Sequence, residues 1–511
     1  VDAFAATSDN APVNAQPSFP APGSAAAPDV AATPHPGRKP VQRAQARPAL
    51  IIPVESQVRE LDAKLLLACC AVERGYHVVI GSRAYVHFAM ASVPRGIYVA
   101  KSMRGMSALM FRLISELGHG IVAWEEEALV HPPAEVFYPL RLSPDTIRHA
   151  SHLFAWGEEN RELMAAYPHL PPGLKMPVTG NPRGDMLRPE LRSFFDEEVQ
   201  ALRREFGDFV LVNTNFTDVN PYLPNLGLFV PSKGSRPRRM GQAGKGMPRD
   251  FAEGLERHKQ SILDDFLEMI PAIEQALPGV TLVVRPHPSE HHGVYHEIAR
   301  RCRRVRVAHR GNVLPWLLAS RGLIHNGCTT AVEAFALGVP SIAYLKTFNP
   351  LYDLDFQGLP NRLSRQCRDL PELLSAVGAA VRGEAGGDVT AEQQALMDHY
   401  VSARGGALAS ERILDVLDAD FGPAWLATRV PALRRTRATL LVNLKAALTK
   451  ANMHRPGRNR ADYHDHRFPR ISADEVQQRV QRLGKALGRF GDVRVRMRGE
   501  HLFDVHGTGT A

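Results

Sequence analysis

The chain has 511 residues and no apolar run approaching the roughly 18 to 20 residues that a membrane-spanning helix requires. Its longest apolar stretches, such as Leu65 to Val72, are short. Cysteine is scarce as well: Cys69, Cys70, Cys302, Cys328 and Cys367 are scattered, with no CxxC pair and no His/Cys cluster. Such spacing offers neither a disulfide framework nor a structural zinc site. An odd number of isolated thiols fits a reducing cytosol, where the protein is expected. The first segment has no basic start and no apolar centre, so no secretory signal is expected there. No GxGxxG fingerprint, Walker loop or HExxH is present, which removes the usual dinucleotide, P-loop and zinc-hydrolase readings. Asp353-Leu354-Asp355 has the form of a metal–phosphate clamp but stands without other acidic support. No metal is expected.

What is present is an ordinary globular composition, 44% hydrophobic and 23% charged, on a chain too long for one core. The formal net charge of +9 is unevenly placed. From Phe421 to Ala511 there are 18 Lys/Arg against 7 Asp/Glu, so the rest of the chain is close to neutral. A basic tail of this kind suits an anionic surface such as acidic lipid headgroups. No nucleic-acid-binding module accompanies it, so nucleic acid is not an expected partner.

Four regions follow from the pattern. Residues 1–46 are Ala/Pro-rich and cannot bury enough apolar surface to offset ordering entropy, which predicts disorder. Residues 47–190 alternate short apolar strands with helices. Ala49–Val54 is a buried-strand pattern, Ser56 sits at an N-cap, a helix runs to Gly75, and His77–Gly81 is the next strand. That spacing is a βαβ unit with a right-handed crossover and a parallel sheet. Residues 191–410 repeat the alternation from Phe209–Asn213 onward, interrupted by a Gly/Pro/Lys/Arg-rich insertion between Asp218 and Arg249 that reads as a mobile loop. Residues 411–511 form the basic extension. The expected fold is α/β with two Rossmann-like, doubly wound lobes facing a cleft, plus a basic helical C-terminal extension. In such folds ligands gather at the carboxyl ends of the strands.

The chemistry-bearing residues follow strands directly. After Gly322–His325 comes the small polar turn Asn326-Gly327-Cys328-Thr329-Thr330, which opens a helix and can cradle a phosphate with backbone N–H groups and hydroxyls. Glu333 lies one turn on, within reach of ribose hydroxyls. After Thr281–Arg285 comes Pro286-His287-Pro288, where two prolines fix the direction of the imidazole and Arg285 offers a guanidinium fork. His287 is a candidate for contact with the leaving phosphate or for acid catalysis. After Gly120–Trp124 comes Glu125-Glu126-Glu127; a carboxylate there can serve as base or nucleophile. Spacing does not choose among the three, and Glu127 and then Glu126 are the leading candidates. Gly180-Asn181-Pro182-Arg183 turns between the lobes, with Asn181 and Arg183 either facing the cleft or serving the turn alone. Glu55 and Arg59 follow the first strand, and Asn213 follows the first strand of the second lobe.

Taken together, Val54-Glu55, Arg59 to Lys64, Glu125–Glu127, Gly180–Arg183, Arg285–Pro288, His325–Thr330 and Leu359-Pro360-Asn361 resemble the bacterial surface carbohydrate biosynthesis family over roughly residues 48–500. They are similar, more distantly, to the retaining Kdo and other ulosonic-acid transferases of the GT-B fold. The resemblance implies a glycosyltransferase with no separate cofactor, whose donor is a CMP-activated ulosonic acid such as CMP-Kdo and whose acceptor is a glycan or lipid-linked saccharide. It implies that His287 and residues 326–330 hold the CMP phosphate, that Arg285 reaches the sugar carboxylate and that Glu127 acts in transfer with retention. Those transferases often carry Asp where this chain has Glu. The same architecture also supports UDP-sugar 2-epimerases and CDP-polyol phosphotransferases, and a non-catalytic assembly scaffold is the alternative of a different class. The amphipathic stretch Thr436–Lys450 suits either peripheral contact with an anionic membrane or a helix that crosses back onto the first lobe.

Overall fold

The computed structural model describes residues 47–232, 237–353, 358–385, 389–453 and 461–508. The expected disordered segment 1–46, and Leu354-Asp355 of the acidic triplet, lie outside them.

The first lobe begins with β1 (Ala49–Val54), six residues buried along their whole length, as a central parallel strand must be. Helix α1 (Gln57–Glu73) leads to β2 (Val78–Ser82), then α2 (Arg83–Ala89), β3 (Gly96–Ala100), α3 (Ala108–Leu117), β4 (Gly120–Ala123) and β5 (His152–Leu153). A one-turn helix α4 (Pro182–Asp185) marks the crossing to the second lobe. That lobe contains β6 (Phe209–Asn213), the hairpin β7 (Phe229–Val230) and β8 (Arg239–Met240), and the long helix α5 (Arg249–Ala276). It continues with β9 (Thr281–Arg285), β10 (Val305–Val307), β11 (Leu323–His325), α6 (Thr330–Leu337), β12 (Ser341–Tyr344) and β13 (Arg365–Cys367). The second sheet runs β10-β9-β6-β11-β12-β13 and is parallel throughout.

The chain then returns. Helices α7 (Ala409–Asp420), α8 (Ala432–Ala451), α9 (Ala461–Arg467) and α10 (Ala473–Leu487) precede the hairpin β14 (Val493–Gly499) and β15 (Leu502–Gly507). The basic extension is therefore helical and also ends in two strands, which join the first sheet in the order β14-β15-β2-β1-β3-β4-β5. β15 is antiparallel to β2, with Leu502 opposite Gly81. Gly81 is required there: a Cβ would lie 2.1 Å from the His501 carbonyl oxygen.

This return explains α1. Apart from Asp62 and Lys64, which are ion-paired, the residues from Leu61 to Val72 are apolar or small, and all of them are buried. One side faces the sheet; the other is covered by α7 and α10. A helix apolar on every side is stable only when every side is covered. The described residues of the insertion after Asp218 are packed, where composition predicts a mobile loop. Leu228 and Phe229 pack on Ala252 and Leu255 of α5, and the Arg238 guanidinium lies 4.7 Å from the Phe229 ring centre. Two parallel α/β lobes, with the C-terminal segment crossing back onto the first, make the GT-B architecture.

Candidate functional site

The second sheet lines up three of the sequence motifs. Asn213, last in β6, is opposite Arg285 of β9 on one side and His325 of β11 on the other. Three neighbouring strands thus end in a row, and each feeds its motif loop at the carboxyl edge.

The Arg285-Pro286-His287-Pro288 loop is anchored from below by Glu290, which is fully buried. Its carboxylate accepts from the Thr214 hydroxyl (2.9 Å), the Tyr295 hydroxyl (2.6 Å) and the His287 backbone N–H (3.1 Å). Burial raises the Glu290 pKa, against those hydrogen bonds. The His287 side chain stays exposed. The Ser289 N–H donates to its Nδ1 at 3.2 Å, so in the neutral ring the proton sits on Nε2. Desolvation by the surrounding protein, with Arg59, Arg285 and Arg467 nearby, pushes this imidazole down to about 4, and Glu127 opposes the shift. At neutral pH His287 is an uncharged hydrogen-bond donor. The Arg285 Nη2 donates to the carbonyl of Gly311 at 2.6 Å, which fixes the guanidinium at the strand end. Burial lowers it only to about 10, so it keeps its charge.

The turn after β11 is built on a core histidine. His325 is fully buried; its Nδ1 accepts from the Gly327 N–H at 2.9 Å and its Nε2 pairs with the Ser364 hydroxyl at 2.8 Å. Gly327 takes φ +84°, which its lack of a Cβ permits. Asn326 donates to the Asn215 carbonyl at 3.3 Å, and the Cys328 sulfur lies 2.5 Å from the Thr330 hydroxyl. Thr329 is the residue just before α6, whose first turn holds Glu333. Three polar atoms along this edge are buried without a hydrogen-bond partner: Oδ1 of Asn213, Oδ1 of Asn326 and Nε of Arg285. Buried polar groups are ordinarily paired, so a row of them marks where a ligand or water would complete the bonding.

The first-lobe wall is made of charges paired with one another, with Oε2 of Glu125 and Oε2 of Glu126 left buried without a hydrogen-bond partner. Lys64, fully buried, pairs with Glu60 (2.8 Å) and Glu126 (3.4 Å) and donates to the Pro53 carbonyl (2.8 Å). Lys101, after β3, pairs with Glu55 (2.6 Å) and Glu60 (3.3 Å). Glu55 also meets Arg467 of α9 at 3.2 Å, which brings the C-terminal segment to the cleft. Of the three successive glutamates, Glu125 is buried and paired with Arg141, and Glu126 is buried with Trp124 Nε1 donating to it at 2.8 Å. Glu127 alone keeps substantial exposure, 37% of its side chain. Arg59 holds it through two parallel bonds of 2.5 and 2.8 Å. Burial would raise the Glu127 carboxyl, but Arg59, Arg183 and Lys101 outweigh it and hold the pKa at about 2.

The walls meet at Arg183. Its Nη2 donates to Glu333 at 2.8 Å and its Nη1 to the Glu126 carbonyl at 3.3 Å, with its guanidinium against Trp156. Glu333 is thus engaged by an arginine of the opposite lobe. Asn181 is buried and caps α4 by accepting from the Arg183 N–H at 3.0 Å, while its Nδ2 is buried without a hydrogen-bond partner. The structure brings Glu127, His287, Arg285 and Glu333 close enough for their charges to act on Arg59 or on one another. It also adds residues that the motifs did not single out, namely Glu290 and Arg467. Glu290 was legible two residues after Pro288, at the end of a loop needing a buried anchor. Arg467, far away in sequence, carried no local signal. Among the described residues no cluster of His, Cys, Asp or Glu has the geometry of a metal site.

No protein-family model matches the chain, and a search of curated proteins finds no match. Solved structures that resemble it include the UDP-GlcNAc 2-epimerase of Methanocaldococcus jannaschii in complex with UDP-GlcNAc and UDP (13% identity, TM-score 0.43, 73% of this chain and 99% of that one). Alr3699/HepE of Anabaena, in complex with UDP and glucose, resembles it at 11% identity and TM-score 0.41 over 73% of this chain and 100% of that one. The wall teichoic acid polymerase TagF does so at 11% identity and TM-score 0.44 over 73% and 89%. Likeness at this level carries no weight for activity.

Proposed function

We propose that the protein is a GT-B glycosyltransferase that moves a sugar from a nucleotide donor to a glycan or lipid-linked acceptor in bacterial surface polysaccharide synthesis. The observation that carries this reading is the row of buried, unpartnered polar atoms on Asn213, Asn326 and Arg285 at the edge of the second sheet, facing a partly exposed carboxylate across the cleft.

The residues divide the work. The 326–330 turn and the start of α6 offer N–H groups and hydroxyls to a phosphate. His287, neutral with its proton on Nε2, donates to the phosphate oxygens as the glycosidic bond to the donor breaks. Glu127, held ionised by Arg59, is too weak a base to take a proton near neutrality. It remains an anion beside the sugar, which suits a nucleophile or a stabiliser of an oxocarbenium-like transition state and hence retention. The donor in this proposal is a CMP-activated ulosonic acid such as CMP-Kdo, a choice that rests on the motif resemblance.

A thermal-shift panel of CMP, CDP, UMP, UDP and GDP on wild type, His287→Ala and Glu127→Gln tests the reading. A ligand at about 100 times its Kd adds about 2.7 kcal/mol to the native state, a readily measured rise in Tm. The expected result is a CMP-selective rise that His287→Ala loses and Glu127→Gln keeps, while Glu127→Gln loses sugar transfer. A UDP-selective rise would replace the CMP donor and favour epimerase chemistry. Silence from a folded protein would overturn the enzyme reading in favour of a scaffold.

A further inference from the structure

Helix α8 crosses back onto the first lobe and buries only part of itself in doing so. Ala438 and Val442 are buried against the lobe, and its contacts are with α3 and α2. Leu433, Leu440, Leu444 and Leu448 remain 85, 65, 55 and 56% exposed. Spacings of seven, four and four residues put these leucines on one stripe. Leu109 of α3, 49% exposed, joins Leu444 and Leu448 along a groove of about 340 Å³ between the two helices. Scattered surface leucines are normal, but Leu440, Leu444 and Leu448 on successive turns, continued by Leu109 of the neighbouring helix, call for an occupant.

The charge around the stripe identifies the occupant. Helix α8 carries Arg434, Arg435, Arg437, Lys445 and Lys450 and no acidic residue. Arg112 of α3 lines the same groove. The nearby acid, Glu116, is shared between Arg437 (3.4 Å) and Arg112 (3.8 Å). A second copy of the chain would bring two such cationic faces together, which like-charge repulsion opposes. An apolar stripe set among long basic side chains fits the headgroup–acyl boundary of an anionic bilayer, where leucines enter and the cations stay with phosphate.

The orientation of the helix is also informative. Val430, just before α8, lies against Gly118 at the end of α3, whereas Leu448 and Asn452 line the groove beside Leu109 at its start. Helices α8 and α3 are therefore antiparallel. The start of α3 follows the carboxyl end of β3, next to Lys101. The stripe leads to the cleft end of the first lobe.

We propose that the leucine stripe and basic flanks of α8, with Leu109, dock the protein on an anionic lipid surface. The inference stands on this face alone and is independent of the donor-site reading.

The test is co-sedimentation of the full chain with phosphatidylcholine vesicles, and with the same vesicles containing phosphatidylglycerol, at low and high salt. The expected result is retention on the anionic vesicles only, weakened by salt. Each Lys/Arg→Gln change on α8 should lower the partition about fivefold, since one such charge contributes about 1 kcal/mol near the surface. Leu440→Glu with Leu444→Glu should lower it at least tenfold, as apolar burial is lost and repulsion added. Both leucines are exposed, so the melting curve and any nucleotide-induced shift should not move. Absence of retention on anionic vesicles, or equal retention of the double variant, overturns the proposal. A concentration-dependent dimer abolished by the same variant, without vesicle binding, overturns it in favour of a second copy.

Discussion

The two strand-end walls of the cleft solve the same problem in opposite ways. In the first lobe, charged groups brought to the sheet edge are buried and paired with one another, Lys64 with Glu60 and Glu126, Lys101 with Glu55 and Glu60. In the second lobe the edge carries fewer charges, and Asn213, Asn326 and Arg285 leave polar atoms buried and unpaired. Ion pairs of this kind fix the geometry of the first wall, although Oε2 of Glu125 and Oε2 of Glu126 are themselves buried without a hydrogen-bond partner. A wall with open positions is stabilised when something fills them. The first presents Arg59 and Glu127 at a fixed place; the second leaves polar positions open on Asn213, Asn326 and Arg285.

The sharpest way to break that contrast is Lys64→Met. It removes the ammonium between Glu60 and Glu126 while keeping the volume, and stranding buried charge costs about 3–5 kcal/mol. Urea unfolding should register that loss, whether or not a nucleotide is bound. A next effect, absent at neutral pH and growing with acidity, comes from His325. Its imidazole is pushed down to about 3 by burial, whereas in the unfolded chain it titrates near 6.5. Below pH ~6.5 the unfolded state takes up the proton first, so the stability contributed by neutral His325 is complete above that pH and lost as pH falls towards ~3. The loss approaches about 1.4 kcal/mol per pH unit inside the window. Unfolding midpoints measured across this range should decline, and His325→Gln should flatten the decline. The smallest effect on stability belongs to Asn213→Ala. Its Oδ1 has no partner to lose, so the variant should fall within about 1 kcal/mol of wild type while its nucleotide-induced rise in Tm disappears. A large destabilisation there would show that the second wall, too, is built to hold itself together.

Much of this organisation was legible in the sequence. The strands of both sheets that carry motifs are short apolar runs, and β1, β6 and β9 are each built around consecutive leucine and β-branched residues. The motif loops follow them because parallel sheets present their functional edge at the carboxyl ends. What stayed hidden has physical reasons. In Val493-Arg494-Val495-Arg496-Met497-Arg498 apolar and basic residues alternate with the period of a strand, but as part of a strongly basic tail the segment reads as charge before it reads as pattern. The insertion after Asp218 is rich in turn-formers, yet Phe229 gains burial against α5 that composition does not announce. Among the three glutamates, only tertiary placement separates the two that are buried with Arg141, Lys64 and Trp124 from the one that reaches the cleft. The Arg183–Glu333 bond has the same character, since its partners belong to short helices of different lobes.

The hairpin β14–β15 has a consequence for synthesis. β2 has β15 as its outer neighbour, and α1 has α7 and α10 as its outer cover. All of these leave the ribosome long after β1 and β2 do. The second lobe, whose strands lie between β6 and β13, can close as soon as it emerges. The first lobe must wait with an unpaired strand edge and an apolar helix face open to water, the kind of surface that invites wrong pairing. The lobe that is translated first is thus the one completed last, and nascent chains halted before residue 493 should depend on chaperones for that interval.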